Sequence, residues 1–387
     1  MNSNNKAVSA SEFPVALFSL GLPILLAAYG MNGSAAPQNL AEILVAGLAV
    51  LGLLVEPYKN KQAPVFPLWL KAGIPCVLLF WAFSKIFTPL LFPLAPSLPF
   101  LMEIRPLLYG LVIVLWITNF SIPKPEHFYF WASWLAVLII CNFLYLFLLS
   151  GLTAPPNLFG NAELTGPILL AGLCSTLHEP SKLKTTRLLI FTGIMCTLSR
   201  DAGFAAVLVL LFFGPKGAIK KTILVLTLVL FNFLALASHE MTFFNPNDLP
   251  AYWLWFSILD LFEKTPSRLL TGHPLSVPLP LNIPASIWEL WHKQNFAWTG
   301  SGTYIFHVTP IWLHILTAWG IAGIAGASAI ATTLSIKYSS DTMASLITAV
   351  IITGFFSPLF YSPATGIVLI MAFICATRPP VRSFQFE

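Results

Sequence analysis

An all-α, polytopic integral membrane protein is predicted by three features of the sequence: its composition, its apolar runs and the placement of its cations. Of 387 residues, 57% are hydrophobic and only 9% are charged, whereas about 25% of the residues of soluble domains are charged. The mean hydropathy is +0.81. A chain of this composition is expected to lie largely within a bilayer.

Apolar runs predict about twelve transmembrane helices, although several are shorter than the ~20 residues that usually cross a bilayer. They divide the chain into a bundle of about nine spans (1–238), one large periplasmic loop (239–308) and about three further spans (309–387). The predicted spans are 13–30, 40–55, 67–83, 106–120, 128–150, 164–177, 188–198, 202–213, 222–238, 309–330, 342–357 and 363–377.

The cations set the orientation. With both termini in the cytoplasm, 14 of the 20 lysines and arginines fall on cytoplasmic segments, as expected when positive loops stay inside. The net charge of +5 follows these loops and forms no basic patch, so no nucleic-acid partner is expected. The cysteines form no C-x-x-C and the histidines no H-E-x-x-H, so we expect neither a metal nor another cofactor.

The stretch 188–213 places Arg200 between two apolar arms of 11 and 12 residues. At about 1.5 Å per residue, each arm reaches roughly 16–18 Å, well under the ~30 Å hydrocarbon thickness. Arg200 is therefore expected below the outer interface, where an arginine costs at least ~2.5 kcal/mol unless it meets an anion or a polar cavity. Either an anionic ligand or a structural ion pair, for example with Glu163, satisfies this requirement.

Two predicted outer segments are long. The segment 84–105 contains four prolines, which exclude a regular spanning helix, so we expect it along the outer interface. The segment 239–308 is rich in Trp, Phe and Pro. It is long enough for a small extramembrane subdomain, although its tryptophans also fit an interfacial aromatic belt.

The next span predicts a helix with Thr309 as N-cap and Pro310 at its first position. His307 then stands just outside the helix start, where free amide hydrogens and the positive end of the helix dipole favour a phosphate. His314 lies in the helix body and is expected to pack within the bundle. Gly320, Gly323 and Gly326 are expected to form a helix-packing stripe.

Arg105, Arg200 and Arg268 are predicted on the outer side together with His307. Arginine suits diphosphate because its planar fork donates two parallel hydrogen bonds, and histidine is the usual general base near neutral pH. The set suggests transfer from a lipid-diphosphate donor. In the alternative interpretation, Arg268 is a solvated loop charge and His307 an interfacial hydrogen-bonding residue.

Four segments resemble the O-antigen ligase/O-antigen polymerase superfamily, which includes protein O-oligosaccharyltransferases. They are NLFGNAELTGPILLAGL (157–173), TLSRDAG (197–203), LWFSILDLFEKTPSRLLTGHPL (254–275) and GIAG (320–323). The second is similar to the family's Ser-Arg-Gly hairpin tip, and the last to the Gly-x-x-Gly that follows its functional histidine.

The chain departs from the family pattern at three points. The family's histidine position is occupied by Thr309, with His307 two residues earlier. The glycine of Ser-Arg-Gly is Asp201, and no arginine precedes the tryptophan helix in 247–255. A two-residue insertion restores His307 to its place; without it, the chain is a diverged or inactive member.

The resemblance implies metal-independent, inverting glycosyl transfer from an undecaprenyl-diphosphate-linked glycan in a bacterial inner membrane. The acceptor is a lipid A-core sugar for ligases, a growing repeat for polymerases, or a protein hydroxyl. It assigns His307 as the catalytic base and Arg200 to the departing diphosphate, with Arg105 and Arg268 as weaker candidates. A transporter or flippase of an anionic lipid or solute, which needs Arg200 but not His307, is the competing class, and a structural membrane subunit is a third.

Overall fold

The computed structural model describes residues 3–28, 36–54, 103–150, 162–179, 182–214, 216–238, 250–275, 277–281, 303–305 and 308–377. Within these ranges the regular elements are helices, and an isolated β-bridge joins Leu279 to Thr303. The predicted all-α fold class is confirmed for this part of the chain. The helices are α1 (Ser3–Ala16), α2 (Leu22–Ala28), α3 (Ala36–Leu54), α4 (Arg105–Asn119), α5 (Pro125–Ser150), α6 (Ala162–Ser175), α7 (Lys184–Cys196), α8 (Arg200–Phe213), α9 (Ala218–Ser238), α10 (Pro250–Lys264), α11 (Arg268–Thr271), α12 (Ile311–Lys337), α13 (Asp341–Thr353) and α14 (Pro363–Ala376).

Among the described residues, three segments are long and apolar enough to cross a membrane: Ala10–Ala27, Pro125–Leu149 and Ile311–Lys337. The first runs from α1 to α2 through a π-helical turn, Leu17–Gly21. Four shorter helices in the described part of the chain are also apolar. Each predicted span overlaps a helix except 67–83, which lies outside the described residues. Association with a membrane is thus supported.

The main hydrophobic core surrounds α6, which contacts α5, α7, α8, α13 and α14. Small residues allow the helices to approach closely. A Cβ on Gly172 of α6 would lie 2.2 Å from the Cβ of Ala132 in α5, and one on Gly193 of α7 would lie 2.5 Å from the Cβ of Ala136. Such contacts between small residues are typical of helices that pack in membranes.

A second, smaller core packs α10 against the N-terminal half of α12. Leu254 and Ile258 of α10 are fully buried there, together with Ile305 and Leu313. Part of the segment 239–308 is therefore folded, and it is attached to α12.

Contacts between helix termini define two ends of the bundle. At one, which we name the site end, Glu103, Asp201 and Ile311 all bond to residues 354–361, the turn between α13 and α14. We name residues 354–361 the junction turn. The sequence places Glu103 and Asp201 on the same, outer side of the membrane.

The opposite end is formed by residues at the predicted cytoplasmic ends of spans and by Arg187, which the sequence places in a cytoplasmic loop. Asn119, the last residue of α4, donates from its side chain to the carbonyl oxygen of Gly52. Arg187, in the first turn of α7, donates to the hydroxyl and carbonyl oxygens of Thr176 at 3.1 and 2.9 Å. The described contacts therefore agree with the alternation of the predicted spans.

Candidate functional site

The three predicted substrate-binding arginines each begin a helix: Arg105 begins α4, Arg200 begins α8 and Arg268 begins α11. A cation at a helix N-terminus opposes the helix dipole. For the longer helices α4 and α8, the arginine is therefore not placed to stabilise its own helix. Some other interaction must account for its position.

His307, the predicted catalytic base, lies outside the described residues, so its role stays a prediction. Two described residues close to it, Ile305 and Val308, are buried in the second core. The chain on either side of His307 is thus fixed against α10 and the start of α12.

Arg105 forms a buried ion pair and a hydrogen bond with other residues of the protein. Its Nη2 lies 3.2 Å from Oε1 of Glu42 in α3, and its Nη1 donates to the carbonyl oxygen of Tyr361 at 3.4 Å. The two charged side chains are 9% and 1% exposed. Removing one partner of a buried ion pair typically costs 3–5 kcal/mol. Arg105 therefore ties α3 and α4 to the junction turn, and Glu42 already neutralises its charge.

Glu103 accepts three side-chain hydrogen bonds at the site end. Nε2 of His314 lies 2.7 Å from its Oε2, and the indole of Trp319 and the hydroxyl of Tyr361 each donate to its Oε1 at 2.8 Å. Burial raises the pKa of Glu103, but these hydrogen bonds and the charge interaction with His314 outweigh burial and hold the pKa below its usual value. Burial and the Glu103 charge raise the pKa of Tyr361, which keeps its hydroxyl protonated as a donor. Glu103 is thus an ionised acceptor.

Arg200 lies at the hairpin tip between α7 and α8. It is half-buried, and this burial lowers the pKa of its guanidinium. The next residue, Asp201, accepts hydrogen bonds from the hydroxyls of Ser199 and Ser357. The side chain of Glu163, the alternative ion-pair partner for Arg200, lies outside the described side chains. The tip is therefore bound to the junction turn next to a partly desolvated cation.

The start of α12 differs from its prediction. The helix begins at Ile311 with Pro310 as its N-cap, one residue later than predicted, because Pro310 has an extended ψ of 119°. The amide hydrogens of Ile311 and Trp312 bond the carbonyl oxygens of Ser357 (3.2 Å) and Gly354 (3.3 Å). The predicted attraction of phosphate by free amide hydrogens is wrong for these two groups, because the junction turn occupies them.

The sequence predicts that Gly320 belongs to a helix-packing stripe. In the structure Gly320 instead interrupts the helical conformation of α12, with a φ of 65°. The turn after α11 docks at this break: Gly272 has φ 77°, and His273 donates its amide hydrogen to the carbonyl oxygen of Thr317 at 2.7 Å. A Cβ on Gly272 would lie 2.2 Å from the carbonyl oxygen of Ala318. The contact therefore requires glycine, and it holds the α11 segment against α12.

Arg268 is exposed at the start of α11. Burial and the nearby Arg268 charge lower the pKa of His273. The segment that contains Arg268 is thus held against α12 near Thr317, about two helical turns after the start of α12.

Ser357 joins two predicted parts of the site. Its hydroxyl donates to Asp201, next to Arg200, and its carbonyl oxygen accepts from Ile311, four residues after His307. Sequence reasoning did not identify Glu42, Glu103 or Ser357 as partners. Single acidic residues within or beside apolar segments were the available signal for the two glutamates.

The described residues contain no group of three or more His, Cys, Asp or Glu side chains that could hold a metal ion. Comparisons with protein-family models, with curated proteins and with solved structures find no match to the chain. The functional assignment therefore depends on the geometry of the site and on the sequence motifs.

Proposed function

We propose that the chain is a membrane glycan transferase, most similar to O-antigen ligases. It would move an undecaprenyl-diphosphate-linked glycan to an acceptor hydroxyl, such as a lipid A-core sugar, at the periplasmic face of a bacterial inner membrane. A polysaccharide polymerase or a protein O-oligosaccharyltransferase is the nearest alternative. The proposal rests on the two hydrogen bonds of Ser357. One goes to Asp201, beside Arg200, and the other comes from Ile311, at the start of the helix after His307, so both parts of the predicted site meet at the junction turn.

The proposed reaction assigns one role to each residue. His307 accepts the proton of the acceptor hydroxyl, whose oxygen attacks the anomeric carbon of the donor. The bond from that carbon to the diphosphate oxygen breaks with inversion, and Arg200 holds the departing lipid diphosphate. A guanidinium suits this role, because its planar fork donates two parallel hydrogen bonds to a phosphate group and it stays protonated.

The proposed topology has about twelve spans, cytoplasmic termini and the 239–308 segment in the periplasm. It is supported by the grouping of Glu103, Asp201 and Ile311 at one end of the bundle and of Arg187 at the other. In this topology the site end opens to the outer leaflet. Lipid-linked donor and acceptor would reach it from the same side.

The experiment that tests the proposal is surface glycan display in a cell deleted for the gene. Arg200→Lys keeps the charge but loses the bidentate fork, so display should fall sharply at unchanged membrane abundance. Lys182→Arg is the control, because Lys182 pairs with Glu179 in a partly exposed salt bridge at the opposite end. Full display by Arg200→Met would contradict a role for Arg200 in anion binding.

A transporter or flippase of an anionic lipid or solute is the second candidate. The observation that favours it is the buried pair of Glu42 and Arg105 beside the buried pair of Glu103 and His314. Ionisable residues within membrane proteins often mark transport paths. Transport of a labelled lipid diphosphate that persists in His307→Ala, together with an absence of glycan transfer, would favour this class.

A further inference from the structure

We propose that Asp201 is a positioning residue that holds Arg200 in place for the donor diphosphate. The inference rests on the proposed function and extends it to a second residue at the hairpin tip. Asp201 lies in the first turn of α8, directly after Arg200, and it is 9% exposed. A carboxylate this buried needs hydrogen-bond donors, and the tip supplies them from two directions.

Both carboxylate oxygens of Asp201 are occupied. The hydroxyl of Ser199 donates to Oδ1, and the hydroxyl of Ser357 donates to Oδ2. Both serines are buried, at 6% and 1% exposure. Hydrogen bonds to an ionised acceptor are roughly twice as strong as neutral ones. Two of them at different oxygens fix both the position and the rotation of the carboxylate.

The chain before Arg200 is fixed independently. Leu198 has φ 55°, which a leucine rarely adopts, and the hydroxyl of Thr197 accepts the amide hydrogen of Ser199 at 3.2 Å. From the other side, a Cβ on Gly166 of α6 would lie 3.3 Å from Oγ of Ser199. Arg200 thus stands between two immobilised neighbours. The backbone of Arg200 is therefore held on both sides.

A simpler explanation is that Asp201 only stabilises the N-terminus of its helix. An acid in the first turn contributes typically 0.3–1 kcal/mol by interaction with the helix dipole. Asp341, the first residue of α13, offers a matched control because it is also a first-turn acid but is exposed. Asp341→Asn removes the dipole interaction at α13 and leaves the contact between Asp201 and Ser357 intact.

The test is binding of farnesyl diphosphate, a short isoprenyl diphosphate, to the purified full-length protein in nanodiscs. The variants are Arg200→Met, Asp201→Asn, the double variant and Asp341→Asn. We expect Asp201→Asn to weaken binding roughly tenfold, as when one hydrogen bond to a charged group is lost. It should have no further effect in the Arg200→Met background, because it acts through Arg200, and Asp341→Asn should bind like the wild type.

A purely structural role gives a different pattern, in which Asp201→Asn weakens binding equally in both backgrounds. That result, or wild-type binding by Asp201→Asn, would overturn the inference. If Asp201→Asn does not fold, Ser357→Ala replaces it. This variant removes one of the two hydroxyls and should show the same dependence on Arg200.

Two further results concern the proposed function instead. If the wild type does not bind farnesyl diphosphate, or Arg200→Met binds as tightly as the wild type, the proposed anion site is wrong, and the positioning role with it. Inorganic pyrophosphate, measured in parallel, separates a lipid ligand from a free anion. Tighter binding of pyrophosphate than of farnesyl diphosphate would contradict a lipid-linked donor.

Discussion

The carboxylate of Glu103 and Nε2 of His314 lie 2.7 Å apart, although 211 positions separate them in the sequence. Both side chains are 2% exposed. Their contact joins the segment before α4 to the body of α12, and Tyr361 attaches the same carboxylate to the junction turn. Glu103 therefore links the segment before α4, α12 and the junction turn at the site end.

The pH dependence of stability tests this arrangement. Since the folded-state pKa of Glu103 is lowered, its contribution to stability is present above the unfolded pKa of about 4.5 and is lost as pH falls through the folded value. Glu103→Gln should lower the free energy of unfolding at pH 7 by about 1.5–3 kcal/mol, the typical contribution of hydrogen bonds to a charged group. The Tm of this variant at pH 7 should fall accordingly. Its Tm should then fall less than that of the wild type between pH 7 and pH 3. The exposed Glu263→Gln is the control, and parallel pH profiles for Glu103→Gln and the wild type would contradict the prediction.

The close approach of Gly272 to Ala318 and of Gly320 to Leu270 predicts two destabilising substitutions. Alanine at either position combines a positive φ with overlap onto a carbonyl oxygen, 2.2 Å away at Gly272 and 2.4 Å away at Gly320. We expect each to lower the free energy of unfolding by about 1–3 kcal/mol, the typical size of such backbone strain. Gly326→Ala, in the same helix but with open space around it, should be neutral or slightly stabilising. Thermal unfolding of the purified proteins decides this, and a neutral Gly272→Ala would show that the turn does not dock as described.

The predicted topology is tested by single-cysteine labelling with an impermeant thiol reagent. Lys264→Cys should react from the periplasm in intact cells, because Lys264 is exposed in the segment proposed to be outside. Lys182→Cys should react only after the inner membrane is opened. The reverse pattern would invert the topology and place the site end in the cytoplasm.

The positions of the helices could be predicted from the sequence because apolar runs are a local signal. The limits of individual helices were less certain: α12 extends to Lys337, seven residues beyond the predicted span. Gly320 shows why local patterns fail. Its spacing with Gly323 and Gly326 fits a packing stripe, but in the structure Gly320 has a positive φ and lies against Leu270 of α11, which is distant in the sequence.

The chemistry of the candidate site was only partly predictable. Arg200 stood out because a lone cation between short apolar arms is costly. Arg105 stood out as well, but its pairing with Glu42 depends on the contact between α3 and α4. Asp201 interrupts a family-like motif, and its bond to Ser357 joins positions 156 residues apart, which no local pattern predicts.

The most direct test of the proposed transferase is glycan transfer by the purified protein from an undecaprenyl-diphosphate-linked donor, measured for His307→Ala and His314→Ala. We predict that His307→Ala lowers the transfer rate by roughly 10²–10⁴-fold, the usual effect of losing a general base. His314→Ala should mainly lower thermal stability, because it leaves the buried Glu103 without one of its donors. Transfer at the wild-type rate by His307→Ala would contradict the account.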